Sequence, residues 1–144
     1  MKKHILLFSL CCCFASVSFG QVNFGVGGTY VNDLGVQARA NLDVSETLGL
    51  IPSFSYYFTE IGSAFSIDGN LTYNVAEIGD GIPIYALGGL DYSVFSFGGN
   101  SDGNIGINLG AGTNVSSIYG EIFFRKLFCD ICGSDIGINV GYSF

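Results

Sequence analysis

The sequence is poor in charged side chains and in strong helix-forming residues, whereas glycine, which disfavours helices, occurs 22 times. Only 12% of the 144 residues are charged, with five Lys or Arg, one His, two Pro and no Trp. The single histidine is His4, so the chain beyond residue 20 offers no imidazole for acid–base catalysis or metal binding. The same stretch has three basic residues against twelve acidic ones, a net charge of −9, which disfavours binding to nucleic acid.

The first twenty residues have the three parts of a secretory signal peptide. Met1–His4 is basic, Ile5–Val17 is apolar, and Ser18–Gly20 supplies small residues before a predicted cut at Gln21. A buried N-terminal helix and a lipoprotein leader are the alternatives, and Leu10-Cys11-Cys12-Cys13 fits the lipoprotein pattern poorly. Residues 1–20 are therefore predicted to be a signal peptide and residues 21–144 a single domain.

The rest of the chain repeats every two residues, which is the period of a β-strand. The clearest segment has Leu34, Val36 and Ala38 on one face and Gly35, Gln37 and Arg39 on the other. Eight such segments are predicted: Val22–Tyr30, Leu34–Val44, Leu48–Thr59, Phe65–Asn74, Ile82–Tyr92, Ile105–Asn114, Ile118–Arg125 and Ile136–Phe144. A loop rich in Gly, Ser, Asn and Asp is predicted from Ser93 to Gly103.

The residue types on the second face favour a membrane protein over a soluble one. A small soluble barrel would show long polar side chains to water, whereas here the second face consists mainly of Gly, Asn and Ser. Small polar residues suit the narrow interior of an eight-stranded barrel, so the apolar face is expected to contact lipid. Closure is then required, because an open edge would leave backbone groups unpaired in hydrocarbon.

Aromatic residues on the apolar face give a separate indication. If the N-terminus lies in the periplasm, one group of aromatics falls at the external strand ends and a second group at the periplasmic ends. Two aromatic girdles around an aliphatic band are typical of outer-membrane barrels. The external group is Tyr30, Tyr56, Phe58, Phe65, Tyr92 and Phe124, and the periplasmic group is Tyr73, Tyr142, Phe144 and Phe24.

The final strand alternates Ile136, Ile138, Val140, Tyr142 and Phe144 with small or polar residues. With the signal peptide and eight strands, it resembles the small eight-stranded outer-membrane β-barrel family represented by OmpX and the OmpA transmembrane domain. The resemblance covers residues 21–144. It implies an all-β, antiparallel up-and-down transmembrane barrel located in the outer membrane and contacting its lipid. It also implies that these five residues form the signal read by the barrel-assembly machinery. The turn at Asn32-Asp33 is too short for an OmpX-like adhesive sheet.

Six charged residues fall on the predicted inner face. Unpaired buried charges are costly, so these side chains are expected to pair across the interior and fill it. A proton or ion path is the alternative. The predicted network is Arg39, Asp43, Asp68, Asp91, Glu121 and Arg125.

Cys129 and Cys132 are the two cysteines beyond the signal peptide, and they lie in the predicted last external loop. An exported pair is free to form a disulfide, and a lone C-x-x-C lacks the ligands of a zinc site. We expect a local structural disulfide. Rim carboxylates such as Glu60, Asp102, Asp130 and Asp135 are a further candidate for divalent cations, although exposed acids usually only aid solubility.

The favoured function is a non-enzymatic, monomeric barrel with a structural or surface-interaction role, without a cofactor. Its external partners are expected at two loops, Ser93–Gly103 and Lys126–Ser134. A narrow channel and a soluble exported β-barrel binding protein are the alternatives. A lipid-modifying enzyme is disfavoured by the lack of histidine beyond residue 20.

Overall fold

A computed structural model describes residues 21–130 and 132–144. The predicted signal peptide at residues 1–20 lies outside the described residues. In the described part, no helix is long and apolar enough to span a membrane.

Eight antiparallel strands form one closed barrel in which each strand pairs with its neighbours in sequence. The strands are β1 (Val22–Val31), β2 (Asp33–Asp43), β3 (Leu48–Tyr57), β4 (Ser63–Ile78), β5 (Ile82–Phe97), β6 (Asn100–Val115), β7 (Ile118–Leu127) and β8 (Ser134–Ser143). Pairing of β1 with β8 closes the barrel, with Tyr30 opposite Ile138 and Val26 opposite Tyr142. We call the end that carries Gln21 and Phe144 the lower end, and the opposite end the upper end.

The strands are strongly tilted against the barrel axis. Paired residues followed once around the barrel return to β3 at Phe58, ten positions beyond the start at Leu48. The path runs through Leu48, Tyr73, Ala86, Ala111, Ile122, Ile138, Tyr30, Leu34 and Phe58. A stagger of this kind accompanies strand tilt in closed barrels, and eight strands leave an interior that side chains can fill.

The two faces of the strands separate as the sequence predicts. Leu109 is 57% exposed, whereas its neighbour Asn108 is 2% exposed and points inward. The same alternation continues around the barrel, so a belt of exposed Ile, Leu, Val, Phe and Tyr surrounds a polar interior. A continuous apolar surface of this extent is unstable in water and fits contact with lipid.

The predicted loop from Ser93 to Gly103 is wrong for most of its length. β5 continues to Phe97 and β6 begins at Asn100, leaving only Gly98 and Gly99 as the turn. Both glycines have positive φ, 58° and 86°, which suits a two-residue hairpin turn. The composition of this segment resembles that of a loop. Strand pairing uses backbone groups, however, so a strand that lies above the lipid-facing belt can have polar side chains on both faces. At the lower end, β4 likewise runs past the predicted Asn74 to Ile78. At the upper end, β3 ends at Tyr57 rather than Thr59.

Large aromatic side chains share the interior with the small polar residues. Tyr57, Tyr85, Tyr119 and Phe123 are all buried inside the barrel. Glycines on neighbouring strands make room for them: a Cβ atom on Gly112 would lie 2.6 Å from the Tyr85 ring, and Gly137 and Gly141 face Phe123 and Tyr119 in the same way. The inner face is therefore rich in glycine because bulky rings from β5 and β7 occupy the space.

Candidate functional site

The lower half of the interior is organised around one buried ion pair. Arg39 on β2 and Glu121 on β7 approach to 2.6 Å between Nη1 and Oε1, and both side chains are at most 5% exposed. Tyr85 Oη donates to the same carboxylate oxygen at 2.8 Å. Asn139 Nδ2 donates to the other oxygen, Oε2, at 2.9 Å. We call Arg39, Tyr85, Glu121 and Asn139 the lower cluster, which joins strands β2, β5, β7 and β8.

Arg39 also lies against an aromatic ring. Its guanidinium carbon is 3.5 Å from the centroid of Tyr119, a cation–π arrangement. Tyr119 is fully buried and its hydroxyl donates to Gln37 Oε1 at 3.5 Å. The arginine is thus held by charge on one side and by a ring on another, which fixes its position across the lumen.

A second cluster lies nearer the upper end. Asp68 on β4 and Asp91 on β5 are directly opposite each other in the register. Asp68 accepts hydrogen bonds from Asn108 at 2.9 Å and from the hydroxyls of Ser53 and Ser66 at 3.3 Å each. Ser93 Oγ donates to Asp91 at 2.8 Å. These neutral donors surround both carboxylates inside the barrel.

Arg125 connects this second cluster to the upper rim. Its Nη1 donates to Ser93 Oγ and Tyr57 Oη at 3.5 Å each, and its Nη2 lies 3.9 Å from Asp135 Oδ2. Asp135 in turn accepts a 2.8 Å hydrogen bond from Asn32 at the β1–β2 turn. We call Asp68, Asp91, Ser93, Asn108 and Arg125 the upper cluster.

Five of the six predicted network residues therefore lie inside the barrel, divided between two clusters. Asp43 does not join them, because it is exposed at the lower end of β2. Sequence reasoning missed the roles of Tyr85, Asn108 and Asn139, which hydrogen-bond to the buried carboxylates. Their inward position on alternating strands was the available signal, but the strand register that brings them to Glu121 and Asp68 was not.

The lower end opens into a cavity of about 580 Å³. Its walls are mainly polar and include Asn41, Thr72, Asn74 and Asn114, with Tyr85 of the lower cluster at its inner end. Above it the lumen narrows to an enclosed cavity of about 10 Å³ between the two clusters. Of these two cavities, only the lower one is large enough for a solute.

Cys129 and Cys132 form a disulfide, with their Cα atoms 5.2 Å apart. The bond closes a short segment between β7 and β8 at the upper end, as the sequence predicts. Within the described residues, no three His, Cys, Asp or Glu side chains come together as a metal site.

The final strand lies at the seam of the barrel. Ile136, Ile138, Val140, Tyr142 and Phe144 all point outward and are exposed. Phe144 donates to the carbonyl of Phe24 at 2.8 Å, and Phe24 donates to the carbonyl of Phe144 at 3.1 Å. Among the described residues, Phe24 and Phe144 thus form the backbone pair between β1 and the end of β8 that lies nearest the lower end.

Comparison with known proteins identifies relatives of the fold. No family model matches the sequence, and no curated protein does. The N-terminal β-barrel domain of Pseudomonas aeruginosa OprF matches with a TM-score of 0.61 at 14% identity, covering 85% of this chain and 96% of that one. Yersinia pestis Ail, solved with the heparin analogue sucrose octasulfate, matches with 0.52 at 15% identity, covering 85% and 96%.

A de novo designed transmembrane β-barrel also matches, with a TM-score of 0.53 at 17% identity over 88% of this chain and 98% of that one. At such low identity these matches show the fold alone. The structure is a closed eight-stranded antiparallel barrel of the outer-membrane type, with its apolar residues on the outside.

Proposed function

We propose that this protein is a non-enzymatic barrel of the bacterial outer membrane that serves as a structural element of the envelope and presents a short external surface. The upper end faces outward in this assignment, and the lower end faces the periplasm. The apolar belt supports insertion in lipid, because all backbone groups of the eight strands can pair within the closed wall.

The filled interior is the observation that carries the structural role. The Arg39–Glu121 pair crosses the lumen from β2 to β7, and Tyr85 and Asn139 close the space around it. The cavity between the two clusters holds only about 10 Å³, the size of a single water molecule. A solute that enters the lower cavity meets this obstruction, so we favour a structural barrel over a narrow channel.

The external surface is small and acidic. It consists of the β3–β4 connection, the upper end of the β5–β6 hairpin and residues 128–130 and 132–133, with carboxylates at Glu60, Asp102 and Asp130. Lys126 is the only exposed basic residue in the described part of the chain. Ail was solved with a sulfated heparin analogue, but the charge of this surface disfavours a polyanion. A neutral or basic external partner fits it better.

Assembly of this barrel would depend on its last strand. The outward residues Ile136, Ile138, Val140, Tyr142 and Phe144 leave the exposed face of β8 uniformly apolar. We propose that the barrel-assembly machinery recognises this strand and that the folded product is a monomer, because closure leaves no strand edge along the wall for a second copy.

Expression of the full chain in a Gram-negative host, followed by membrane fractionation and electrophoresis with and without boiling, tests the location and the barrel. The protein should appear in the outer-membrane fraction and run as a compact band that shifts on boiling. Planar-bilayer recordings test the filled interior, and no steady conductance is expected. Solute-dependent conductance would instead establish the channel, while recovery in the soluble fraction would overturn the membrane assignment.

A further inference from the structure

The enclosed cavity of about 10 Å³ is lined by both clusters of the interior. Glu121 and Asn139 of the lower cluster face it from one side, and Asp68, Asn108 and Arg125 of the upper cluster face it from the other. Among the described residues, no side-chain hydrogen bond runs directly from one cluster to the other. The cavity thus lies between the two networks and is lined by residues of both.

Three residues that line the cavity each have a buried side-chain oxygen without a hydrogen-bond partner among the described residues: Thr29 Oγ1, Asn108 Oδ1 and Asn139 Oδ1. These residues are at most 6% exposed. A buried polar atom without a partner costs roughly 1–3 kcal/mol, so three on one small cavity call for an occupant.

The orientation of the two amides is fixed by the carboxylates. Asn108 Nδ2 donates to Asp68 at 2.9 Å and Asn139 Nδ2 donates to Glu121 at 2.9 Å. Rotating either amide would place its oxygen against a carboxylate oxygen, which is repulsive. Both carbonyl oxygens are therefore left as acceptors, and the occupant has to donate hydrogen bonds.

The occupant also has to accept one. Arg125 Nε is buried without a partner in the described part of the chain, and its residue lines the same cavity. A metal cation could bind the amide oxygens but cannot accept a hydrogen bond, so it would leave the Arg125 Nε–H group unsatisfied. Water both donates and accepts, and a cavity needs about 10–15 Å³ for one molecule with two to four polar partners.

We propose that this cavity binds a single water molecule, which donates to Asn108 and Asn139 and thereby links the lower and upper clusters into one network. The partners of this water come from β1, β6, β7 and β8, so the site also joins strands on both sides of the barrel seam. This site is independent of the external surface and of any partner that binds there.

Nuclear Overhauser spectroscopy tests the site in the protein expressed from its full sequence and purified into detergent micelles. Cross-peaks between water and the side-chain amide protons of Asn108 and Asn139 are expected, with the sign of a water that stays longer than molecular tumbling. Their absence would overturn the proposal. A shift of these amide signals on titration with sodium or potassium chloride would show a cation in the cavity and would overturn it as well.

A matched pair of variants tests the partners. Thr29→Val removes the hydroxyl at nearly constant volume and should weaken both cross-peaks. Thr113→Val removes a hydroxyl that donates to Pro83 O at 2.8 Å, away from this cavity, and should leave them unchanged. Equal spectra for the two variants would contradict the assigned site. The unmodified protein decides the question by itself if Thr29→Val does not fold.

Discussion

Arg39 and Glu121 lie 82 residues apart in the chain and meet inside the barrel at 2.6 Å. No strand pairing brings them together directly, since β2 and β7 are not neighbours in the sheet. Their contact therefore depends on the closed barrel as a whole. It forms only when β1 and β8 have paired and the register of the strands is correct. The ion pair therefore indicates that the barrel has closed, and it also fills the lumen.

We expect Glu121→Gln to destabilise the barrel strongly. The change leaves Arg39 charged and buried without its carboxylate, and loss of one partner from a buried pair costs about 3 kcal/mol or more. Urea unfolding of the protein refolded into lipid vesicles measures the loss. The exposed variant Glu60→Gln should unfold at the same urea concentration as the unmodified protein.

Replacing both partners should cost less than replacing one. Arg39→Met combined with Glu121→Leu removes both charges and fills similar space, and such exchanges are often nearly neutral in other proteins. The same urea titration should place the double variant above Glu121→Gln in stability. If the double variant is the less stable of the two, the buried Tyr85 and Asn139 donors that lose Glu121 as their acceptor cost more than the unpaired arginine does.

The inner glycines are expected to be less tolerant of substitution than the outer ones. A Cβ atom on Gly141 would overlap the Tyr119 ring, whereas one on Gly120 would meet nothing within 4 Å. Gly141→Ala should therefore lower the free energy of unfolding by roughly 1–3 kcal/mol, the usual cost of overpacking. Gly120→Ala should be neutral or slightly stabilising, because alanine restricts the unfolded chain. Equal effects would mean that the Tyr119 ring and the Val26 backbone both shift to make room.

Much of this fold could be predicted from the sequence because the period of two is strong and each face has a uniform chemistry. Leu34, Val36 and Ala38 point outward, and Gly35, Gln37 and Arg39 point inward, as the alternation indicates. The strand ends were harder to predict. Ser96 and Ser101 lie above the lipid belt, where neither face has to be apolar, so a paired strand there has the composition of a loop.

The partners within the interior could not be predicted from alternation. The alternation shows that Tyr85, Asn139 and Glu121 face inward. Which of these side chains contact one another depends on the register of all eight strands. A shift of the register by two residues on one strand would keep every side chain on its face and change all of these contacts. For the same reason Asp43, which alternates correctly, lies too near the end of β2 to join the network.

The outward face provides a direct test of membrane insertion. Leu109 lies in the middle of β6 and is 57% exposed on the apolar belt. Leu109→Lys should destabilise the folded barrel in vesicles by about 2–4 kcal/mol, since the ammonium group would sit near the centre of the bilayer. Ile61→Lys, in the connection between β3 and β4, should cost only about 0–1 kcal/mol. A tolerated Leu109→Lys would indicate that the belt is covered by protein instead of lipid.

Phe144 allows the assembly signal to be separated from the stability of the seam. Its backbone pairs with Phe24 in both directions, while its ring is 69% exposed. Phe144→Ala keeps the backbone pair, so folding of the purified protein into micelles should change little. If the assembly machinery reads this side chain, the amount of the variant in the outer membrane should fall, as measured by fractionation and the compact band on unboiled gels.

Phe24→Ala is the matched control for that experiment. Phe24 lies across the same seam, is 57% exposed, and contributes an aromatic ring at the same end of the barrel, but it lies on β1. Both variants lose one exposed aromatic ring at the lower end, so a general effect of the aromatic residues on lipid contact would lower both amounts equally. A loss confined to Phe144→Ala would locate the signal in the last strand. Equal losses would show that Phe144 acts only through its contact with lipid.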